Sequence, residues 1–381
     1  MKQQKTPCPT IIIILLSAAL MLLTGCGGIY DNYRALEELE IVGTLGLDRD
    51  LHGLTLSAAA GRDGAGQTPA VLRRSSPDLR QGMEALQDFA GDRQLFFAHT
   101  RYLLLGQDYA ADGIGAVLDY VERDLHTRMG TALFVLRDER AETLLSSGGD
   151  VTALLASAVR NARQNGSSRV SDLRSTAVAL SEYGAAAVCA LRTETTAGSV
   201  FSEAPERTAY PDGYAILRSG ALAGFLDGGT AEVFGFLAGY PGTVTRQFHD
   251  GDGAAVTLEL QRSGEPEFRV SGTAETPVVE AFLTLNAALS AVDAPEPVTM
   301  PDVSALCRRA ENEVSGDAEK VFSEMQALDA DFLGLGGTVR RALGNAAQEG
   351  FPGNAEFRVR VEVIMDHSYD LTAPVTAGGG A

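Results

Sequence analysis

The chain has no tryptophan, five histidines and four cysteines, and its 31 lysines and arginines are outnumbered by 50 aspartates and glutamates. Each shortage excludes something. No CxxC pair exists and no two histidines stand at helical i+3 or i+4 spacing, so neither a structural zinc nor a helical metal site is expected. A formal charge of −19 works against nucleic acid, whose phosphates are neutralised by Lys and Arg. The same excess works against adhesion to an anionic membrane surface. No GxSxG elbow is present. Gly64-Ala65-Gly66-Gln67-Thr68 lacks the lysine of a phosphate loop and leads into no helix, and Gly334-Leu335-Gly336-Gly337 lacks the strand context of a dinucleotide fingerprint. After the apolar run that begins at Ile11, no second stretch is long and apolar enough to span a bilayer.

That first run is the most informative segment. Lys2 and Lys5 precede Ile11–Leu23, and small residues precede Cys26, which is the charge, apolar and small-residue order of an export signal. Leu23-Thr24-Gly25-Cys26 resembles the lipobox of bacterial lipoproteins, which implies cleavage before Cys26 and acylation of its thiol. A spanning helix needs ~20 apolar residues, and this run stops short of that. Loss of Lys2 and Lys5 with the signal leaves 29 basic against 50 acidic residues. A body so acidic needs lipid to stay at a membrane, each buried methylene contributing ~0.8 kcal/mol.

The hydrophobic fraction of 45% and charged fraction of 21% are those of a globular protein, and the 356 residues after Gly25 suffice for two or three cores. The expected fold is mixed α/β (α+β), as three consecutive mixed domains after the signal peptide 1–25. The first covers 26–195, a small middle domain 196–250, and an antiparallel sheet with a long helix 251–370, before a disordered tail, 371–381. Strands are expected at Leu39–Asp48, Leu54–Ala60, Ala70–Arg74, Tyr102–Leu105, Thr131–Leu136 and Ala185–Leu191. Ser76-Pro77 offers an N-cap and first-turn proline to a helix carrying Leu79, Met83 and Leu86. Further helices are read at Ile114–Val121, Glu139–Leu145, Val151–Arg163 and Leu173–Glu182. The polar stretch Thr193–Pro211 is taken as a boundary. Tyr214–Leu217 and Leu222–Leu226 flank a hairpin turn, Asp302–Leu328 reads as one long helix, Gly337–Gln348 as a second, and Phe357–Val363 as a closing strand.

Candidate chemistry is sparse. Cys8 leaves with the signal and Cys26 is the lipid site. Cys189 lies in an apolar strand, so it and Cys307 are read as free thiols rather than a disulfide, which an exported location would permit. His99 follows an aromatic strand with no orienting partner nominated, and a structural histidine is the commoner case. Asp48/Asp50 and Asp329/Asp331 lack the remaining oxygen ligands of a calcium loop, and turns or helix caps account for them. No catalytic, metal or cofactor residue is assigned, and the reading is non-enzymatic. The alternative class is the solute-binding lipoprotein of a transporter, which requires two similar lobes about a hinge.

The ordered motifs carry a resemblance. Leu23–Cys26, Leu36-Glu37-Glu38-Leu39-Glu40-Ile41-Val42, Gly46-Leu47-Asp48-Arg49-Asp50, Gln94–His99, Leu103-Leu104-Leu105-Gly106 and Arg123-Asp124 with Arg128 are followed by Gly213–Leu217 and Gly224–Asp227. Ala330–Gly336 with Arg340-Arg341 and the strand Phe357–Ile364 complete the series. Together these resemble the C subunit of spore germinant receptors (the Ger(x)C type), a lipoprotein family of endospore-forming bacteria. One departure stands out: the family commonly has Trp-Asp after the lipidated cysteine, where this chain has Gly27-Gly28-Ile29 before Tyr30-Asp31. The resemblance implies three mixed α/β domains, anchoring through acylated Cys26 on the outer face of the spore inner membrane, two integral-membrane partner subunits, no cofactor, and a part in the germination response to small nutrients.

Overall fold

The computed structural model describes residues 38–51, 53–61, 70–124, 127–166, 168–196, 206–249, 255–293 and 300–365. The signal, Cys26 and the expected tail lie outside them. Most of the chain's first half builds one sheet from β1 (Leu39–Asp50), β2 (Gly53–Gly61), β3 (Ala70–Ser76), β4 (Gln94–Phe96), β5 (Tyr102–Leu105), β6 (Ala132–Leu136), β7 (Ser171–Asp172) and β8 (Ala185–Thr196). β9 (Glu206–Arg218) and β10 (Ala221–Leu226) continue it, in the order β10-β9-β8-β6-β5-β1-β2-β3. Its centre, β1-β5-β6-β8, is parallel, and its flanks are antiparallel.

Parallel strands need both faces covered, because their crossovers put helices on each side. The sequence meets this by alternation. Leu103, Leu105, Leu133, Val135, Val188 and Ala190 point into a core with α1 (Leu79–Phe89), α2 (Gln107–Asp112) and α3 (Gly115–Arg123). Their neighbours Tyr102, Leu104, Phe134, Leu136, Cys189 and Leu191 point into a core with α4 (Ala141–Leu145) and α5 (Val151–Asn165). The period-two side-chain alternation of a strand thus divides one apolar run between two cores. α6 (Leu173–Tyr183) leads directly into β8. The N-cap of α1 is Asp78, whose carboxylate accepts from Gln81 N, and not Ser76 as the sequence suggests; Ser76 Oγ instead donates to Asp78 O at 2.7 Å.

The second sheet has five strands: β11 (Thr243–His249), β12 (Ala255–Arg262), β13 (Glu267–Gly272), β14 (Pro277–Asp293) and β15 (Glu356–Met365). The 17-residue β14 is its spine. β13 and β12 pair in turn with its first and second halves, and β15 runs parallel along the opposite edge. α7 (Gly228–Leu237), the 28-residue α8 (Met300–Ala327), α9 (Gly336–Leu343) and α10 (Asn345–Glu349) pack against it. The single helix read at 337–348 is two, separated by Gly344 at φ +93°, a conformation that ends a helix and favours glycine.

The stretch 196–250, read as a middle domain, is shared out instead. β9 and β10 extend the first sheet, and β11 opens the second. The two bodies also share a core: Ala185, Tyr214 and Ile216 of the first sheet belong to the same buried cluster as Leu258 and Leu285 of the second sheet and Phe322 of α8. Where α5 ends at left-handed Gly166, a Cβ would meet the Thr243 carbonyl oxygen at 2.9 Å, so the backbones abut there. The two sheets differ in strand number and order, so they are not the similar lobes of a hinged solute-binding protein.

Candidate functional site

Two sequence motifs far apart in the chain prove to be one packing unit. Asp48, at the end of β1, is 1% exposed, and its two carboxylate oxygens accept from Ala141 N at 2.7 Å and Glu142 N at 2.8 Å, the first amides of α4. Gly46 lets α4 approach: a Cβ there would stand 2.9 Å from both Ala141 and Leu145. Gly106, closing Leu103-Leu104-Leu105-Gly106, makes room for the Asp48 carboxylate itself. Burial pushes the Asp48 carboxyl up from its ordinary value, opposed by the two amides and by Arg140. Open α/β sheets commonly hold ligands beyond the carboxyl ends of their parallel strands, with an anion on a helix N-terminus. Here the chain's own carboxylate occupies that position.

The signature Ala330–Gly336 uses the same device. Asp331, 8% exposed, accepts from Leu335 N at 2.9 Å and Gly336 N at 2.7 Å and so caps α9, while Arg340 and Arg341 sit in that helix's last turn, where its dipole favours cations. Burial raises its carboxyl too. In each acidic pair weighed in the sequence, one member is therefore a buried helix cap.

At the opposite ends of the parallel strands, between the two bodies, lies a groove of about 1650 Å³. Gly43, Arg101, Thr131 and Ala187 line one side, α5 and α6 contribute Arg163 and Arg174, and Tyr240 and Phe332 come from the second body. His99 is exposed on its rim, its ring 5.3 Å from that of Phe96. Arg128, part of the motif series, also lines it, whereas Arg123 is turned away to pair with Asp119 at 2.8 Å. No sequence signal predicts this groove, because its residues come from segments distant in the chain. Among the described residues no three of His, Cys, Asp and Glu come together as a metal-holding group. Cys189 is buried, Cys307 is half-buried, and both are free thiols. Cys26 lies outside the described residues.

This is a mixed α+β protein of two sheets with helix-capping acids at its motif positions and an open groove between its bodies. Residues 32–193 match the family model described as spore germination protein N-terminal domain, and residues 212–369 match spore germination B3/GerAC like, C-terminal. The chain belongs to the spore germinant receptor C-subunit family. The crystal structure of the GerBC protein has the same fold, with a TM-score of 0.56 over 84% of this chain and 96% of that one at 14% identity. No curated protein matches the sequence.

Proposed function

We propose that this chain is the lipid-anchored, non-enzymatic subunit of a nutrient germinant receptor, held at the outer face of the spore inner membrane through acylated Cys26 and assembled with two integral-membrane subunits. The observation that carries the reading is the lipobox-like Leu23–Cys26 placed directly before a family domain that begins at residue 32. Two features support it. The acidic body has no net basic charge with which to hold an anionic membrane, and among the described residues no helix is long and apolar enough to cross one. Several motif residues within the described structure, Asp48, Gly106 and Asp331 among them, are also engaged in capping and packing, the work of a scaffold that presents surfaces.

Affinity capture of the tagged full chain from detergent-extracted spore membranes tests this. Two multi-spanning proteins recovered in stoichiometric amount are the expected result, and recovery of the chain alone at full yield counts against it. A transporter-type solute-binding role predicts instead that the purified chain binds a small solute tightly in calorimetric titration.

A further inference from the structure

The arginines of this acidic chain are unevenly employed. Fifteen of the described arginines stand in ion pairs with carboxylates. Of the rest, Arg101, Arg128, Arg163, Arg169 and Arg174 stand in none, are all exposed, and all line the groove between the bodies, whereas Arg74, Arg160, Arg308, Arg340 and Arg341, also outside ion pairs, are scattered away from it. Among the described residues two acids line it with them, and each is turned to a helix N-terminus. Asp150 accepts from Ala153 N at 3.0 Å to cap α5, and Asp172 accepts from Ser175 N at 2.7 Å to cap α6. Arg174 occupies the first turn of α6, where the helix dipole disfavours a cation, so its place is not explained by helix stability. Arg169 is held over the Tyr240 ring at 4.6 Å, a cation–π contact that orients the guanidinium and leaves its N–H fork free.

We propose that the groove binds an extended acidic segment of a partner protein, its carboxylates taken by these arginines. Guanidinium forks match carboxylates in bidentate geometry, and several of them spread along one cleft match several carboxylates spaced along a chain. The volume exceeds the ~300–1,000 Å³ usual for a small-molecule pocket. Met129, Val159, Val170 and Phe332 between the arginines offer apolar contact to intervening side chains. A nucleic acid would bring its phosphates against a body of charge −19, and a flat bilayer does not enter a cleft between two bodies. A short peptide inside the groove meets mainly the local field, since charges beyond ~8 Å are screened at physiological salt. The inference goes beyond the receptor reading and does not depend on it, because binding is measured on the isolated chain.

The test is fluorescence anisotropy of a short labelled peptide alternating glutamate and leucine, titrated with the full chain in neutral detergent. A lysine–leucine peptide serves as the control. Binding of the acidic peptide alone is expected, weakening as salt rises and falling about tenfold in each of Arg169→Glu and Arg174→Glu. Arg80→Glu and Arg123→Glu, which alter exposed arginines outside the groove, should leave it unchanged. Should a charge reversal unfold the chain, Arg174→Gln with an unchanged far-UV spectrum gives the same reading. Absence of binding up to millimolar protein overturns the proposal, as does equal loss in the groove and control variants. So does phosphatidylglycerol-vesicle binding through the same arginines without peptide binding, which would make a lipid headgroup the occupant.

Discussion

Asp48 and Ala141, 93 residues apart, are joined by a 2.7 Å hydrogen bond from the Ala141 amide to a carboxylate 1% exposed. This bond ties the end of β1 to the start of α4 and closes the sheet at that end. Asp48→Ala leaves two buried amides without an acceptor and should cost about 2–3 kcal/mol in urea unfolding. The groove, at the other ends of the strands, should be unaffected.

The two buried caps also set a pH dependence. Burial raises the folded-state carboxyls of Asp48 and Asp331 above the unfolded value of ~3.9, so the folded chain holds more protons than the unfolded one as pH rises from about 4. Their contribution to stability therefore declines with rising pH and levels off once both are ionised. The stability of the natural chain minus that of Asp331→Asn should shrink over this window, and a difference that grows with pH would contradict the buried-cap account.

Arg246 joins three elements of the second body. Its guanidinium lies 2.8 Å from Glu232 of α7 and 2.9 Å from Asp317 of α8, with side-chain exposures of 11%, 22% and 15%. Arg246→Ala leaves two partly buried carboxylates facing each other and should cost about 3–5 kcal/mol. Thermal unfolding followed by near-UV circular dichroism, which reports the aromatic cluster around Phe234 and Tyr214, measures it.

Gly213, in the motif Gly213–Leu217, has φ +74°, and a Cβ there would collide with the Leu226 carbonyl oxygen of the neighbouring strand. Gly213→Ala should destabilise by about 2–4 kcal/mol, from left-handed strain and backbone displacement together. Gly91→Ala, also at positive φ but with open space around it, bears only the strain and should cost clearly less in the same denaturant titration.

The cysteines give a chemical check. Burial pushes the Cys189 thiol up to about 12, while Cys307 is only half-buried. Maleimide near neutral pH should modify Cys307 in the folded chain and Cys189 only after denaturation, read by peptide mass. Failure of both to react in denaturant without reductant would reveal a disulfide.

The proposed anchoring through Cys26 predicts that Cys26→Ala moves the protein from the membrane to the soluble fraction and impairs nutrient germination together. A membrane-bound, fully active variant would show that partner docking suffices.

Legibility followed the range of the interactions. Strands β5, β6 and β8 were readable because four to seven consecutive apolar residues leave little alternative, and α8 because its apolar positions recur over 28 residues. β11 carries no such local mark, since Thr243–His249 has two buried side chains among polar ones and becomes a strand by pairing with β12. The assignment of 196–250 to a separate domain followed a local polar stretch. The pairing of β9 with β8, which joins that segment to the first sheet, is long-range and leaves no local mark.

By itself the sequence determined the acidic body, the lipobox-like Cys26, the mixed α+β class and the ordered motifs of the family, because composition, periodicity and short spacing are properties of neighbouring residues. Tertiary structure alone decided what the motifs do and which cations share the groove. Asp48 is a cap only because β1 ends beside α4, and five arginines outside ion pairs line one groove only because the strand ends, two helices and the second body meet there.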